Sequence, residues 1–223
     1  MANVVILKLT QSTRRTDRFS VVFSEESSGE GKATVTDESV LKLQLRPGAE
    51  VDGDAFRDAV EEVRAHDLVS GALARRSYAV LEMRQLLRRR GVSAPHAEHA
   101  VRRFAALGVL DDERFAASYA RNHVAVRGAS VWSLRRALAR KGVARDVADS
   151  AIEQAMRDAN VDEYEMAVTV GKKKLTSLSR YAPDVARRRL TGFLQRRGYS
   201  GDTIRRVLRD VAERKGGSAT GNG

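Results

Sequence analysis

Over the first fifty residues the apolar positions come in short runs. Residues 4–10 (VVILKLT), 18–23 (RFSVVF) and 32–36 (KATVT) are rich in β-branched side chains and parted by Ser, Thr and Gly, so they predict strands joined by turns in a small antiparallel sheet. Thr36 or Asp37 then caps a short helix carrying Val40, Leu41 and Leu45, which Pro47-Gly48 stops. Over residues 51–74 the apolar spacing changes to four and three, at Phe56, Val60 and Val63, with Arg57, Asp58, Glu61 and Glu62 on the other face. This predicts a helix linking the sheet to the remainder of the chain.

From Ser77 onward the period is helical throughout, and it repeats. LRRRGV at 87–92, LARKGV at 138–143 and LQRRGY at 194–199 place Gly91, Gly142 and Gly198 at intervals of 51 and 56 residues. Eight and four residues before each glycine stand Met83 and Leu87, Leu134 and Leu138, Leu190 and Leu194. Six, nine, ten and thirteen residues after it stand Ala97, Ala100, Val101 and Phe104, then Ala148, Ala151, Ile152 and Ala155, then Ile204, Val207, Leu208 and Val211. These spacings hold each set on one helix face, so every unit is a pair of helices joined by a turn in which Gly supplies the left-handed backbone. A third helix comes next in two units, one capped by Asp111 or Asp112 and holding Phe115, Ala116 and Tyr119, the other capped by Asp162 and holding Tyr164, Ala167, Val168, Gly171 and Leu175.

The expected architecture is mainly α: three tandem three-helix repeats, helix-turn-helix-like and without wings, forming an elongated curved solenoid behind a small β-rich subdomain and a linking helix. The predicted boundaries are 1–50 for the sheet and short helix, 51–76 for the linking helix, 77–128, 129–181 and 182–215 for the repeats, and 216–223 for a disordered tail. Deletion of residues 1–50 is expected to leave the repeats folded.

Charge sharpens this picture. The net charge of +11 is unevenly divided: residues 1–72 carry 9 Lys and Arg against 13 Asp and Glu, and residues 73–223 carry 31 against 16. A basic pair precedes each repeat glycine, Arg89 and Arg90, Arg140 and Lys141, Arg196 and Arg197, and Arg127, Lys172, Lys173 and Lys174 extend the series. Equivalent positions in stacked repeats would give a periodic cationic row suited to a polyanion or an acidic protein groove. The same side chains also complement the negative end of a helix, and the two readings are compatible.

Other chemistry finds little support. With no Cys there are no disulfides, thiolate metal sites or thiol nucleophiles. No phosphate-binding loop or nucleophile elbow is present, and Asp111-Asp112-Glu113 is explained by capping. His96 and His99 lack further ligands of the right type and read as a solvated helix face. Trp132, Tyr181 and Tyr199 are the plausible aromatic platforms among the repeats, and core roles are expected for them. The amino terminus matches neither a signal peptide nor a membrane span. The expectation is therefore a cytoplasmic, monomeric protein with no catalytic residues, no metal and no cofactor.

Residues 108–143, GVLDDERFAASYARNHVAVRGASVWSLRRALARKGV, resemble the most recognisable stretch of the RecX family of RecA modulators: an acid pair followed by Phe-Ala, then Tyr, then Arg-Gly, then Leu-x-x-Lys-Gly. Arg76-Ser77 with Glu82 and LRRRGV matches the start of the first unit, and in order of elements the likeness runs over residues 4–212. Val109 stands where an aromatic is common, and Asn160-Val161 lacks the family's usual Gly. The resemblance implies a regulator that lies in the groove of the RecA filament on single-stranded DNA and inhibits or modulates recombinase, ATPase and coprotease activity in DNA repair and the SOS response. It implies a weak, salt-dependent contact with the DNA phosphate backbone. A helix-turn-helix-like DNA-binding or nucleoid protein acting without RecA is the competing reading.

Overall fold

The computed structural model describes residues 3–25, 29–127 and 129–216, the side chains of 125–127 and 211–216 excepted. Strands β1 (Asn3–Gln11), β2 (Arg18–Glu25), β3 (Gly29–Thr36) and β4 (Glu50–Asp52) form one antiparallel sheet in the order β3-β2-β1-β4, with α1 (Asp37–Lys42) between β3 and β4. Nine further helices are α2 (Gly53–Leu73), α3 (Val80–Arg89), α4 (Ala94–Ala106), α5 (Asp112–Arg127), α6 (Val131–Arg140), α7 (Arg145–Asp158), α8 (Glu163–Thr176), α9 (Pro183–Arg196) and α10 (Gly201–Gly216), counted among the described residues. The protein is thus mainly helical with a small amino-terminal sheet. Its residues divide into two compact units, 1–78 with 82–110, and 79–81 with 111–223. Of the expected tail, all but Gly216 lies outside the described residues.

In the first unit the period of β1 sets its two faces: Val4 and Ile6 are buried, whereas Val5 and Leu7 are exposed. Val4 and Ile6 join Val21, Val35 and Leu45 in a core that α2 completes with Phe56 and Ala59, and Phe56 meets Phe23 edge-on at 5.0 Å. Strand β4 was not legible as a strand. Its three residues include one apolar side chain, Val51, and they run straight into α2, yet they pair with Asn3–Val5. Asp52, at the end of β4, is also the cap of α2, accepting from Ala55 N at 2.8 Å. Because Phe56 and Ala59 belong to the core of the sheet, deleting residues 1–50 strips one face of α2. We expect that truncation to lose the cooperative melting of the first unit while helical signal from the second persists; a single unchanged transition followed by circular dichroism would contradict this.

Helix α2 does more than link. It packs along α4, and the His66 and Phe104 rings lie 4.6 Å apart. It also holds the first glycine turn, since Arg64 donates to Arg90 O and Glu61 accepts from Ser93 N at 2.7 Å. Among the described residues neither ring nitrogen of His66 has a hydrogen-bond partner. Burial lowers the His66 pKa below the ordinary imidazole value, and the charges of Arg103, Arg18 and Arg15 act in the same direction against Asp67. The unfolded chain therefore binds a proton near pH ~6.5 that the folded unit resists, so stability is full above that pH and declines as pH falls below it. His66→Leu is expected to shrink the drop in urea midpoint between about pH 7.5 and about pH 5.5, and an equal drop in both proteins would count against this role.

In the second unit one core closes over α5, α6 and α7, around Phe115, Leu134, Leu138 and Ile152, and another over α8, α9 and α10, around Leu178, Leu190, Leu194 and Ile204. The helix completing each bundle thus precedes its glycine pair, one helix out of phase with the partition read from the sequence. The inward positions before and after the three glycines are buried at every described site except Leu208, which is half-buried; the Val211 side chain lies outside the described residues. Gly91, Gly142 and Gly198 have φ of 74°, 83° and 82°. Asn160, where the resemblance expects Gly, has φ 48°, a conformation that Asn adopts more readily than other side-chain-bearing residues.

A brace crosses the first two glycine pairs at equal offsets. Arg84 binds Glu98 through two hydrogen bonds of 2.8 and 2.9 Å, holding its carboxyl below the usual range, and Arg135 meets Asp149 at 2.5 Å. In the third pair Thr191 and Arg205 occupy these positions, and Arg205 turns to Asp202.

Candidate functional site

The basic residues singled out by the sequence fall into distinct environments. Arg89, Arg140 and Arg196, the first member of each pair, are exposed at the last residue of α3, α6 and α9. Arg90 is also exposed, and its carbonyl receives Arg64. The second members of the later pairs lie against rings: Lys141 Nζ is 5.5 Å from the Phe115 centroid and 5.6 Å from that of Tyr119, and the Arg197 guanidinium is 4.9 Å from Phe193. Cations placed this way pack as well as carry charge. Lys172 and Lys173 are exposed on α8. The Arg127 side chain lies outside the described residues.

Two junctions hold the second unit together, built alike. Val80 N donates to Asp112 Oδ1 at 2.9 Å, and Val131 N donates to Glu163 Oε1 at 3.3 Å, both across 32 residues. One position further on, Leu81 covers Gly142 and Trp132 covers Gly198. A Cβ added at Gly142 would lie 2.5 Å from Leu81 Cβ, and one at Gly198 would lie 2.4 Å from the Trp132 ring. Ser130 is fully buried; its hydroxyl caps α6 by accepting from Ser133 N at 3.2 Å and donates to Arg197 O at 2.6 Å. The equal offsets of Asp112 and Glu163 from the preceding glycines were a signal in the sequence for this arrangement. Tyr199, just after the third turn, is buried, which pushes its hydroxyl pKa up to about 12 against the opposing charge of Arg197, so the phenol stays neutral.

The aromatic expectations divide. Tyr199 is a core residue and Tyr181 packs at the edge of the α8–α10 core, but Trp132 is 52% exposed on its outer side, with the Arg136 guanidinium 5.2 Å from its ring. His96 is less solvated than expected: its ring accepts or donates at 2.8 Å with Ser93 Oγ and lies 3.7 Å from both Asp58 and Glu61. Among the described residues no three His, Asp or Glu side chains gather as a metal-binding group, and no helix is long and apolar enough to cross a membrane.

A cleft of about 980 Å³ opens within the second unit, bordered by α5, α6, α8 and α9 and by the segment that follows α7. It brings together Lys173, Lys174, Arg196 and Arg197 from the sequence series, and its floor contains Val124, Val161, Met166 and Val170.

These features define a protein of tandem three-helix repeats whose glycine turns present cations. The family models for the second and third three-helix domains of RecX match residues 111–163 and 161–208. The protein from Amycolatopsis mediterranei (strain U-32) called regulatory protein RecX is 31% identical over 157 residues, covering 70% of this chain and 88% of that relative. Regulatory protein RecX from Streptomyces coelicolor is 31% identical over 166 residues, covering 74% of this chain and 85% of its own. A crystal structure of regulatory protein RecX has the same fold, with a TM-score of 0.67 and 17% identity over 94% of this chain and all of that one. RecX from Lactobacillus salivarius aligns with a TM-score of 0.56 and 16% identity over 68% of this chain and 97% of its own. The chain belongs to the RecX family of regulatory proteins.

Proposed function

We propose that the protein binds the RecA filament on single-stranded DNA and inhibits or modulates its recombinase, ATPase and coprotease activities in DNA repair and the SOS response. It acts in the cytoplasm by binding rather than by turnover, as a monomer. The observation carrying this reading is the exposure of Arg89, Arg140 and Arg196 at the same position of three helix pairs in a RecX-family chain. Around them Arg90, Lys141, Lys172, Lys173 and Arg197 add positive charge, and DNA phosphates contribute a weaker, salt-sensitive contact. For truncation work we propose the groupings α2–α4, α5–α7 and α8–α10 as the repeat units.

The deciding experiment measures ATP hydrolysis by RecA on single-stranded DNA with substoichiometric amounts of this protein, and its affinity for the same DNA without RecA over a salt series. Strong inhibition with weak, salt-sensitive DNA binding supports a filament regulator. No effect on RecA with tight binding to a spaced duplex half-site supports the helix-turn-helix reading, which the glycine-turned pairs favour structurally.

A further inference from the structure

The cleft in the second unit pairs an aliphatic floor with a cationic rim. Its floor is aliphatic: Val124 lies on α5, Val161 comes after α7, and Met166 and Val170 stand four residues apart on α8. Its rim is cationic, carrying Lys173 and Lys174 from α8 and Arg196 and Arg197 from the end of α9. Among the described residues the one carboxylate lining it is Glu165, whose Oε2 accepts from Asp162 N at 2.9 Å while Asp162 Oδ1 accepts from Glu165 N at 2.7 Å. That carboxylate is engaged in capping α8, which leaves the cationic rim dominant.

We propose that this cleft is a docking site for an acidic peptide segment carrying large apolar side chains. The apolar anchors would fill the space over Met166 and Val170, and the carboxylates would meet Lys173 and Arg196. A pocket with an apolar floor and a few convergent polar groups is the usual form of a peptide or ligand site.

Single-stranded nucleic acid fits the cleft less well. Strand binding without base readout uses exposed aromatic faces on which bases stack. The rings lining the cleft are Phe193 and His123. Phe193 has the Lys174 ammonium 5.6 Å and the Arg197 guanidinium 4.9 Å from its centroid. His123 stacks on Tyr119 at 4.0 Å, its Nδ1 donating to Tyr119 O at 2.8 Å. Both rings are already engaged, and the open floor is aliphatic.

The acidic-peptide site rests on the reading of the protein as a filament regulator and names the chemistry that one surface recognises, but its test does not depend on RecA. The probe is a synthetic peptide of about twelve residues alternating Asp and Glu with Leu and Phe, titrated into the full-length protein by isothermal calorimetry. A peptide with Lys in place of the acids and an oligothymidylate of about fifteen nucleotides serve as comparisons. The acidic peptide is expected to bind at least about tenfold more tightly than either, with Lys173→Glu and Val170→Asp each weakening it about tenfold or more and Arg14→Glu, on the exposed surface of the first unit, leaving it unchanged. Lys173 is exposed, so its variant keeps the test valid even if Val170→Asp unfolds. Equal or tighter binding of the oligothymidylate, no binding of the acidic peptide, or binding indifferent to Lys173→Glu overturns the proposal. RecA ATPase inhibition is measured in parallel. Inhibition without peptide binding removes the cleft and keeps the filament reading; cleft-dependent peptide binding without inhibition does the reverse.

Discussion

Gly198→Ala is expected to lower the melting temperature of the second unit by on the order of 10 °C. Two costs add. At φ 82° any L side chain pays for the left-handed conformation, roughly 1–2 kcal/mol. The new methyl would also lie 2.4 Å from the Trp132 ring and 2.9 Å from Ser130 Oγ, and relieving such overpacking costs about 1–3 kcal/mol. The sign does not depend on how Trp132 moves, because the backbone penalty stays even if the ring swings away. Gly108→Ala separates the two, since its φ is 65° but no atom of the described residues lies within 4 Å of an added Cβ. It should lose only the conformational share. In a double-mutant cycle, Trp132→Ala should recover part of the Gly198→Ala loss, and simple additivity would show that the ring and the turn are not coupled.

Reversing Arg89, Arg140 and Arg196 together to Glu is expected to raise the concentration needed for half-inhibition of RecA ATP hydrolysis by about tenfold to a hundredfold. All three are exposed, so the folded state should lose only the favourable placement of a cation at each helix C-terminus, roughly 0.3–1 kcal/mol apiece, and a fall in melting temperature of a few degrees is expected. Reversing Lys141 or Arg197 is a poorer test, because each covers an aromatic ring and lost packing would mix with lost charge. Unchanged inhibition by the triple variant, with normal expression and cooperative melting, removes these cations from the mechanism. A uniform loss relieved by lowering the salt concentration instead points to long-range attraction rather than fitted contacts.

The helix pairs were legible because a fixed offset from each glycine turns three weak amphipathic patterns into one repeated pattern. Leu134 alone says little, whereas Met83, Leu134 and Leu190 at the same distance from a left-handed turn specify a buried face. The grouping of helices into bundles was not legible in the same way. The apolar faces of α5 and α8 announce that they pack, but not whether against the pair before or the pair after, since periodicity gives a face and no address. Trp132 misled for a related reason: size and aromaticity predict burial, but its position places the ring over a turn with its outer side in water. The cationic series was legible as a set of charges. That Lys141 and Arg197 fold back onto rings while Arg140 and Arg196 do not depends on Phe115, Tyr119 and Phe193, which the chain brings near only through the fold. No local pattern marks the cleft, whose walls come from four helices and the segment after α7.

Trp132 is the single tryptophan of the chain, and it sits on Gly198 at the junction of two bundles. The tryptophan emission of the protein therefore reports on one place, without any label. A partner that pries the junction apart would expose the inner face of the indole and shift its emission to the red. A partner that grips the exposed cations and leaves the repeats in register would change quenching alone. The protein carries its own gauge of whether regulation bends it.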